Sequence, residues 1–137
     1  MSAQSEHAAL PPALRAWHHL VETKDPAALD ALIADDCVFR SPAVFKPQHG
    51  KALTTMYLTG AVLVLGPTLQ YVDAWVTDDS AVLEFKAELD GLEIHGIDMI
   101  RWNDADKITS FTVMVRPHKA LEKVIEHMRS QLEALQA

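Results

Sequence analysis

Few residues in this chain combine a reactive side chain with a setting that would make it useful, and Asp98 is the first of them. It lies in the stretch 94–102, where a period of two puts Ile94, Gly96, Asp98, Ile100 and Trp102 on one face of a strand. Apart from the aspartate that face is apolar, so it should be the inward one. A carboxyl in apolar surroundings tends to keep its proton and can then donate a hydrogen bond to a ligand oxygen. The same group could instead serve the fold alone, by satisfying a neighbouring Trp, Tyr or Ser, and both readings stay open. His95 would be attractive as a base near Asp98, but alternation turns it to the opposite face with Ile97 and Met99. Cys37 points inward beside Phe39 with no histidine placed to activate it, so it reads as a small buried hydrophobe.

Three further polar or aromatic residues are candidates for ligand contact. Trp17 can donate through its indole N–H and offer a flat apolar wall, or simply anchor the first helix to a sheet. Ser41 can hydrogen-bond to a ligand or merely cap a strand before Pro42, and it is no ordinary base near neutral pH. Tyr57 either reaches an interior space or packs with its hydroxyl toward solvent. The apolar lining expected around Asp98 is Leu83, Phe85, Ile100, Phe111, Val113 and Val115, the last three by alternation in the final strand. Core packing predicts the same set, and an inward side chain becomes a ligand contact only where space is left unfilled.

Other chemistries lack their residues. There is no Ser-His-Asp order, Gly-rich phosphate loop or paired carboxylate at suggestive spacing. None of the seven histidines lies in an HExxH arrangement, and the adjacent His18 and His19 would point about 100° apart on a helix, so no metal and no cofactor is expected. Cys37 is the only cysteine, which excludes an internal disulfide and a multi-thiolate cluster. The formal net charge is -7 and the 12 Lys and Arg form no run, so nucleic acid and anionic membrane surfaces are poor partners. The longest apolar run, 61–65, is far short of a membrane span, and residues 1–12 lack the pattern of a signal peptide, which leads us to expect a cytoplasmic protein.

The elements that must position these residues follow from period and punctuation. At 137 residues one domain is expected, with residues 1–9 as a disordered arm and 10–137 as the fold. Pro11 and Pro12 suit a first helical turn, after which Leu10, Ala13, Leu14, Trp17, Leu20 and Val21 make one apolar stripe. Asp25 before Pro26 starts a second short helix with Leu29, Leu32 and Ile33 inward, ending near Asp35. A short strand over 37–41 runs into a loop forced by Pro42 and Pro47, and a helix over Lys51–Leu65 is stopped by Gly66 and Pro67. Turn signals at Asp78-Asp79, Asp90-Gly91 and Asn103-Asp104 then divide the chain into a four-stranded antiparallel meander. Its clearest strand alternates Leu83, Phe85, Ala87 and Leu89 with Glu84, Lys86 and Glu88. A closing helix over 118–135 repeats Leu121, Ile125, Met128, Leu132 and Leu135, a stripe that packs either on the domain or on a second subunit. A twisted sheet curled around helices encloses a tapered apolar space with one open end.

Several segments then match a known pattern of order and spacing: Val21-Glu22-Thr23-Lys24-Asp25-Pro26, Leu32-Ile33-Ala34-Asp35-Asp36-Cys37-Val38-Phe39, Ser41-Pro42, Gly50, and Gly96-Ile97-Asp98-Met99-Ile100-Arg101-Trp102. Over about residues 14–115 the chain resembles the nuclear-transport-factor-2-like superfamily, and within it the SnoaL-like (polyketide-cyclase-like) and ketosteroid-isomerase-like domains. The resemblance implies an α+β fold in which a cone-shaped, strongly curved antiparallel sheet wraps N-terminal helices, here with an extra C-terminal helix. It implies a homodimer paired through the outer sheet face and, for any catalysis, proton transfer of the isomerase, cyclase or hydrolase kind. By the same resemblance Asp98 matches the isomerase's oxyanion-hole aspartic acid, and Tyr57 falls within one residue of an aromatic pair on its third helix. Ser41 stands where that family places its general-base aspartate, and Trp17 where it places a tyrosine. Steroid isomerisation by the family mechanism is therefore not expected. The leading expectation is a small-molecule-binding domain for an apolar carbonyl or hydroxyl compound. Its rival is a non-catalytic dimeric interaction module with a filled core.

Overall fold

The structure, a computed structural model, describes residues 10–136, and the arm expected over 1–9 lies outside the described residues. Helix α1, Pro12–Thr23, buries Ala13, Leu14, Trp17 and Leu20 along one stripe. It ends where Lys24 takes a left-handed conformation and its N–H reaches back to the last turn. The Asp25 side chain then accepts from Ala27 N at 3.2 Å and opens a single 3-10 turn, Pro26–Ala28. This turn leads into the four-residue helix α2, Leu29–Leu32.

Strand β1, Ile33–Arg40, begins directly after it. The expected extension of the helix to Asp35 is thus corrected: Ile33 is extended at φ -87 and ψ 129 and pairs with Ile108. Ladder hydrogen bonds outweigh weak local helical preference there, because Asp and β-branched residues do little to prolong a helix. A two-residue strand β2, Gln48–His49, which sequence period does not announce, precedes helix α3, Lys51–Leu65. The meander follows as β3 Gln70–Val76, β4 Ser80–Leu89, β5 Leu92–Trp102 and β6 Ile108–Arg116, and helix α4, His118–Gln136, closes the chain.

The six strands form one sheet in the order β2-β1-β6-β5-β4-β3. All pairs are antiparallel except β1 with β6, which run parallel. The register fixes two rows on the inner face. One runs Ala74, Leu83, Asp98, Val113 and the next Tyr71, Phe85, Gly96, Val115. Gly96 is required by this geometry, since a Cβ there would meet Phe85 Cζ and the Met114 carbonyl oxygen, each at 2.5 Å. The Phe85 ring therefore lies across β5, two residues from Asp98.

The inner face packs as two neighbouring clusters. Trp17, Phe39, Leu83, Ile100 and Phe111 belong to the first, under α1. Phe85, Ile94, Leu65, Ala120 and Val124 belong to the second, under α3 and α4. Val113 touches both and stays only half-buried, as does Val115 beside it, because the space in front of them is not filled.

Candidate functional site

Asp98 is 5% exposed, with Thr54 one of two polar or charged side chains buried among the described residues. Its partner is Tyr71 on β3, whose hydroxyl lies 2.5 Å from Asp98 Oδ2. Trp17 on α1 donates its indole N–H to the same hydroxyl oxygen at 2.9 Å. Three elements far apart in sequence thus deliver one relay, from Trp17 to Tyr71 to Asp98. Burial pushes the Asp98 carboxyl from the ordinary 3.8 up to about 7, even though the Tyr71 hydrogen bond works in the opposite direction. Burial, together with the neighbouring carboxylate, holds the Tyr71 phenol well above its usual range.

This geometry gives the site two proton states near neutrality. When Asp98 is ionised, Tyr71 donates to it and the relay is closed on itself. When Asp98 is protonated, its O–H can donate either to the Tyr71 oxygen, releasing the phenolic proton for another acceptor, or directly to that acceptor. A carbonyl or hydroxyl oxygen placed beside the pair would therefore find a donor. A carboxyl with a pKa near the working pH can also remove and return a proton.

Beside Asp98 lies a cavity of about 40 Å³, bounded by Trp17, Leu58, Tyr71, Phe85, Phe111 and Val113 among others. That is room for one water-sized group. Next to it, with Ala61, Leu65 and Val113 as shared walls, is a groove of about 280 Å³. Its remaining walls come from β1, the 41–44 loop, α3, Val115 of β6 and one face of α4.

The candidate residues sort between these two spaces. Trp17, Phe85, Phe111 and Asp98 border the inner cavity, Ser41, Tyr57 and Val115 border the groove, and Val113 borders both. Tyr57 stacks on Phe39 with ring centroids 5.3 Å apart and does not meet Asp98. Ser41 Oγ accepts from Ala43 N at 3.0 Å, which ties it to its own loop. Leu83 and Ile100, expected in the apolar lining, are both fully buried in the cluster under α1 and border neither the inner cavity nor the groove. Their end of the cone is filled by Trp17, Phe39 and Phe111, whose rings pack edge-on or tilted at 4.8 and 6.2 Å.

Tyr71 is the functional candidate that sequence reading misses. Its strand is an exposed edge whose alternation is broken by a bulge between Tyr71 and Asp73, so no apolar face stands out. Counting register back from the Asp78-Asp79 turn would set Val72 opposite Phe85, and only the bulge brings Tyr71 into that place, so no signal in the sequence points to it.

His95 sits on the outer face as alternation requires, with Nε2 2.6 Å from Glu84 Oε2 and Nδ1 3.4 Å from Arg116 Nη1. Cys37 is fully buried, and burial pushes its thiol above the ordinary range. Among the described residues no group of His, Cys, Asp and Glu could hold a metal ion, and no helix is long and apolar enough to cross a membrane.

Comparison with known proteins agrees with this architecture. The family described as the SnoaL-like domain matches residues 14–111. Among solved structures, a steroid delta-isomerase from Pseudomonas aeruginosa is 35% identical, with a TM-score of 0.86 over 100% of this chain and 98% of that one. A bacterial protein with a cystatin-like fold from Silicibacter pomeroyi is 24% identical, with a TM-score of 0.80 over 88% and 84%. An NTF2-like protein from Mesorhizobium loti, 21% identical, superposes with a TM-score of 0.69 over 85% and 97%. Among curated proteins no significant sequence relative is found. With its curved sheet, its helices and a match covering most of its length, the chain belongs to the SnoaL-like domain family and has the NTF2-like α+β fold.

Proposed function

We propose that this domain binds an apolar small molecule through one carbonyl or hydroxyl oxygen presented to Tyr71 and Asp98, and that any reaction it carries is proton transfer on that molecule. The observation that carries the reading is the buried relay from Trp17 through Tyr71 to Asp98, with an unfilled cavity at its end. A buried carboxyl on a strand needs a reason, and perturbed carboxyls beside cavities mark functional sites more often than chance.

The steroid delta-isomerase likeness supports the class of chemistry, while the residues present argue for a different substrate or step. Asp98 is the single carboxylate bordering the inner cavity, and the groove's one carboxylate, Glu133, is exposed. Ser41, bound to its own loop, brings no base. A site with one titrating carboxyl can protonate an oxygen, or remove and return one proton, without a second acid-base partner.

The test is calorimetric titration of apolar ketones and alcohols into the wild type and Asp98→Asn. Loss of the charge-capable donor should weaken binding about tenfold, the usual scale for one hydrogen bond to a buried polar group. Wild-type affinity for ketones should fall as pH rises through about 7, where Asp98 gives up its proton. Equal affinities for the two proteins would contradict the reading. Absence of any binding would favour the rival, a non-catalytic module, for which the small inner cavity speaks.

The outer sheet face supports a homodimer. Trp75, Val82, Met99 and Thr112 form a row across it, and Trp75 is 57% and Met114 50% exposed. Apolar surface of this kind is characteristic of interfaces. Sedimentation velocity should find a dimer that Met114→Glu dissociates, and a wild-type monomer would count against it.

A further inference from the structure

The cavity beside Asp98, at about 40 Å³, has room for one water-sized group, so a ligand that places an oxygen there must keep the rest of itself elsewhere. The space at hand is the adjoining groove of about 280 Å³, close to the lower bound of about 300 Å³ for small-molecule sites. It adjoins the site, because Ala61, Leu65 and Val113 line both spaces. Its chemistry is mostly aliphatic, with Ser41, Arg129 and Glu133 as its non-aromatic polar residues. The inward strand residues facing it, Val113 and Val115, are left half-exposed rather than packed, which is the mark of a space the core does not fill.

One wall of this groove is particular. It is supplied by Ile125, Met128 and Leu132 of α4, whereas the family match ends at residue 111. Where α4 packs on α3, Gly60 leaves room for the tip of Met128: a Cβ there would stand 3.1 Å from Met128 Cε and 3.7 Å from Leu132 Cδ2. The helix is also held to the β4–β5 turn, where His127 Nε2 lies 2.8 Å from Asp90 Oδ2. Met128 is therefore seated at the contact of the two helices and at the wall of the groove together, and its unbranched thioether can adapt to what lies against it.

We propose that the groove between α3 and α4 seats the linear apolar body of the ligand, with Met128 as the residue that sets the length and shape accepted. This rests on the reading of Asp98 as the polar end of the site. The ligand class is an elongated aliphatic carbonyl or hydroxyl compound, its oxygen at Tyr71 and Asp98 and its chain running out between the two helices.

The experiment titrates a homologous series of linear methyl ketones into the wild type, Met128→Trp, Met128→Ala and Asp98→Asn. In the wild type, affinity should rise by up to about fourfold per added methylene until the groove is full. Met128→Trp, which fills the groove, should abolish that rise and leave the shortest members unaffected. Met128→Ala should extend it to longer or branched members, and it serves if the tryptophan variant does not fold. Asp98→Asn should lower every member by the same factor. Length dependence identical in the wild type and both Met128 variants, with Asp98→Asn still weakening the series, would overturn the groove assignment alone. If no member binds, or Asp98→Asn changes nothing, the reading of Asp98 fails and the groove assignment fails with it.

Discussion

The two faces of β5 carry Asp98 and His95 only three residues apart, yet their surroundings make them different kinds of group. His95 lies on the outer face, about one third exposed, between the charged ends of Glu84 and Arg116. Water shares in every interaction there, so removing one partner leaves nothing stranded. Asp98 lies buried on the inner face, its partners are a phenol and, through it, an indole, and burial moves its titration to about 7. The same strand thus makes an ordinary surface cluster on one side and a candidate acid-base on the other. The difference comes from what covers each face, and not from the local sequence.

The largest effect should come from the inner face itself. Leu83 pairs directly with Asp98 and is fully buried, so Leu83→Ala should cost about 2–5 kcal/mol in urea unfolding. Its outer-face neighbour Val82, half-buried, should cost clearly less on truncation to alanine. Similar costs for the two would break the contrast.

Next comes the pH dependence of stability. The unfolded chain loses the Asp98 proton near the ordinary 3.8 and the folded chain holds it to about 7, so the folded state binds more protons between those values. Stability from this group is therefore greatest at the acid end and is lost as pH rises from about 4 to about 7. At about 1.4 kcal/mol per unit, the wild type should lose up to about 4 kcal/mol relative to Asp98→Asn across that window. Unfolding curves at several pH values measure it directly, and a constant difference between the two proteins would show that Asp98 titrates normally.

Tyr71→Phe sharpens the comparison further. It removes a hydroxyl that serves both the Trp17 indole and Asp98, leaving two buried polar groups unpaired, so a loss of about 1–3 kcal/mol is expected at neutral pH. Since the Tyr71 hydrogen bond favours the charged carboxylate, the variant should also titrate Asp98 at still higher pH. The smallest effect belongs to the outer face, where Glu84→Gln should change stability by less than about 1 kcal/mol.

How much of this was legible in the sequence depended on whether neighbours in space are also neighbours in pattern. The inward placing of Asp98, Phe85 and Phe111 follows from alternation along strands bounded by clear turns. Tyr71 escaped because a bulge on an edge strand breaks the period by which it would be recognised. Leu83 and Ile100 were placed inward correctly, but alternation gives direction and not vacancy. Whether an inward residue borders a cavity or fills the core is decided by side chains from α1 and β1, distant in sequence. For the same reason the parallel pairing of β1 with β6, which joins β1 and β2 to the meander, has no local signal.

The central claim, that Asp98 is a buried carboxyl poised at the end of a ligand site, is tested most directly by following its side-chain carboxyl carbon by NMR across pH. The titration would be recorded with and without a linear methyl ketone. The account predicts a midpoint at about 7 in the free protein and a higher one with the ketone bound, because the ligand oxygen favours the protonated donor. A midpoint near the ordinary 3.8, or one that the ketone leaves unmoved, would contradict it.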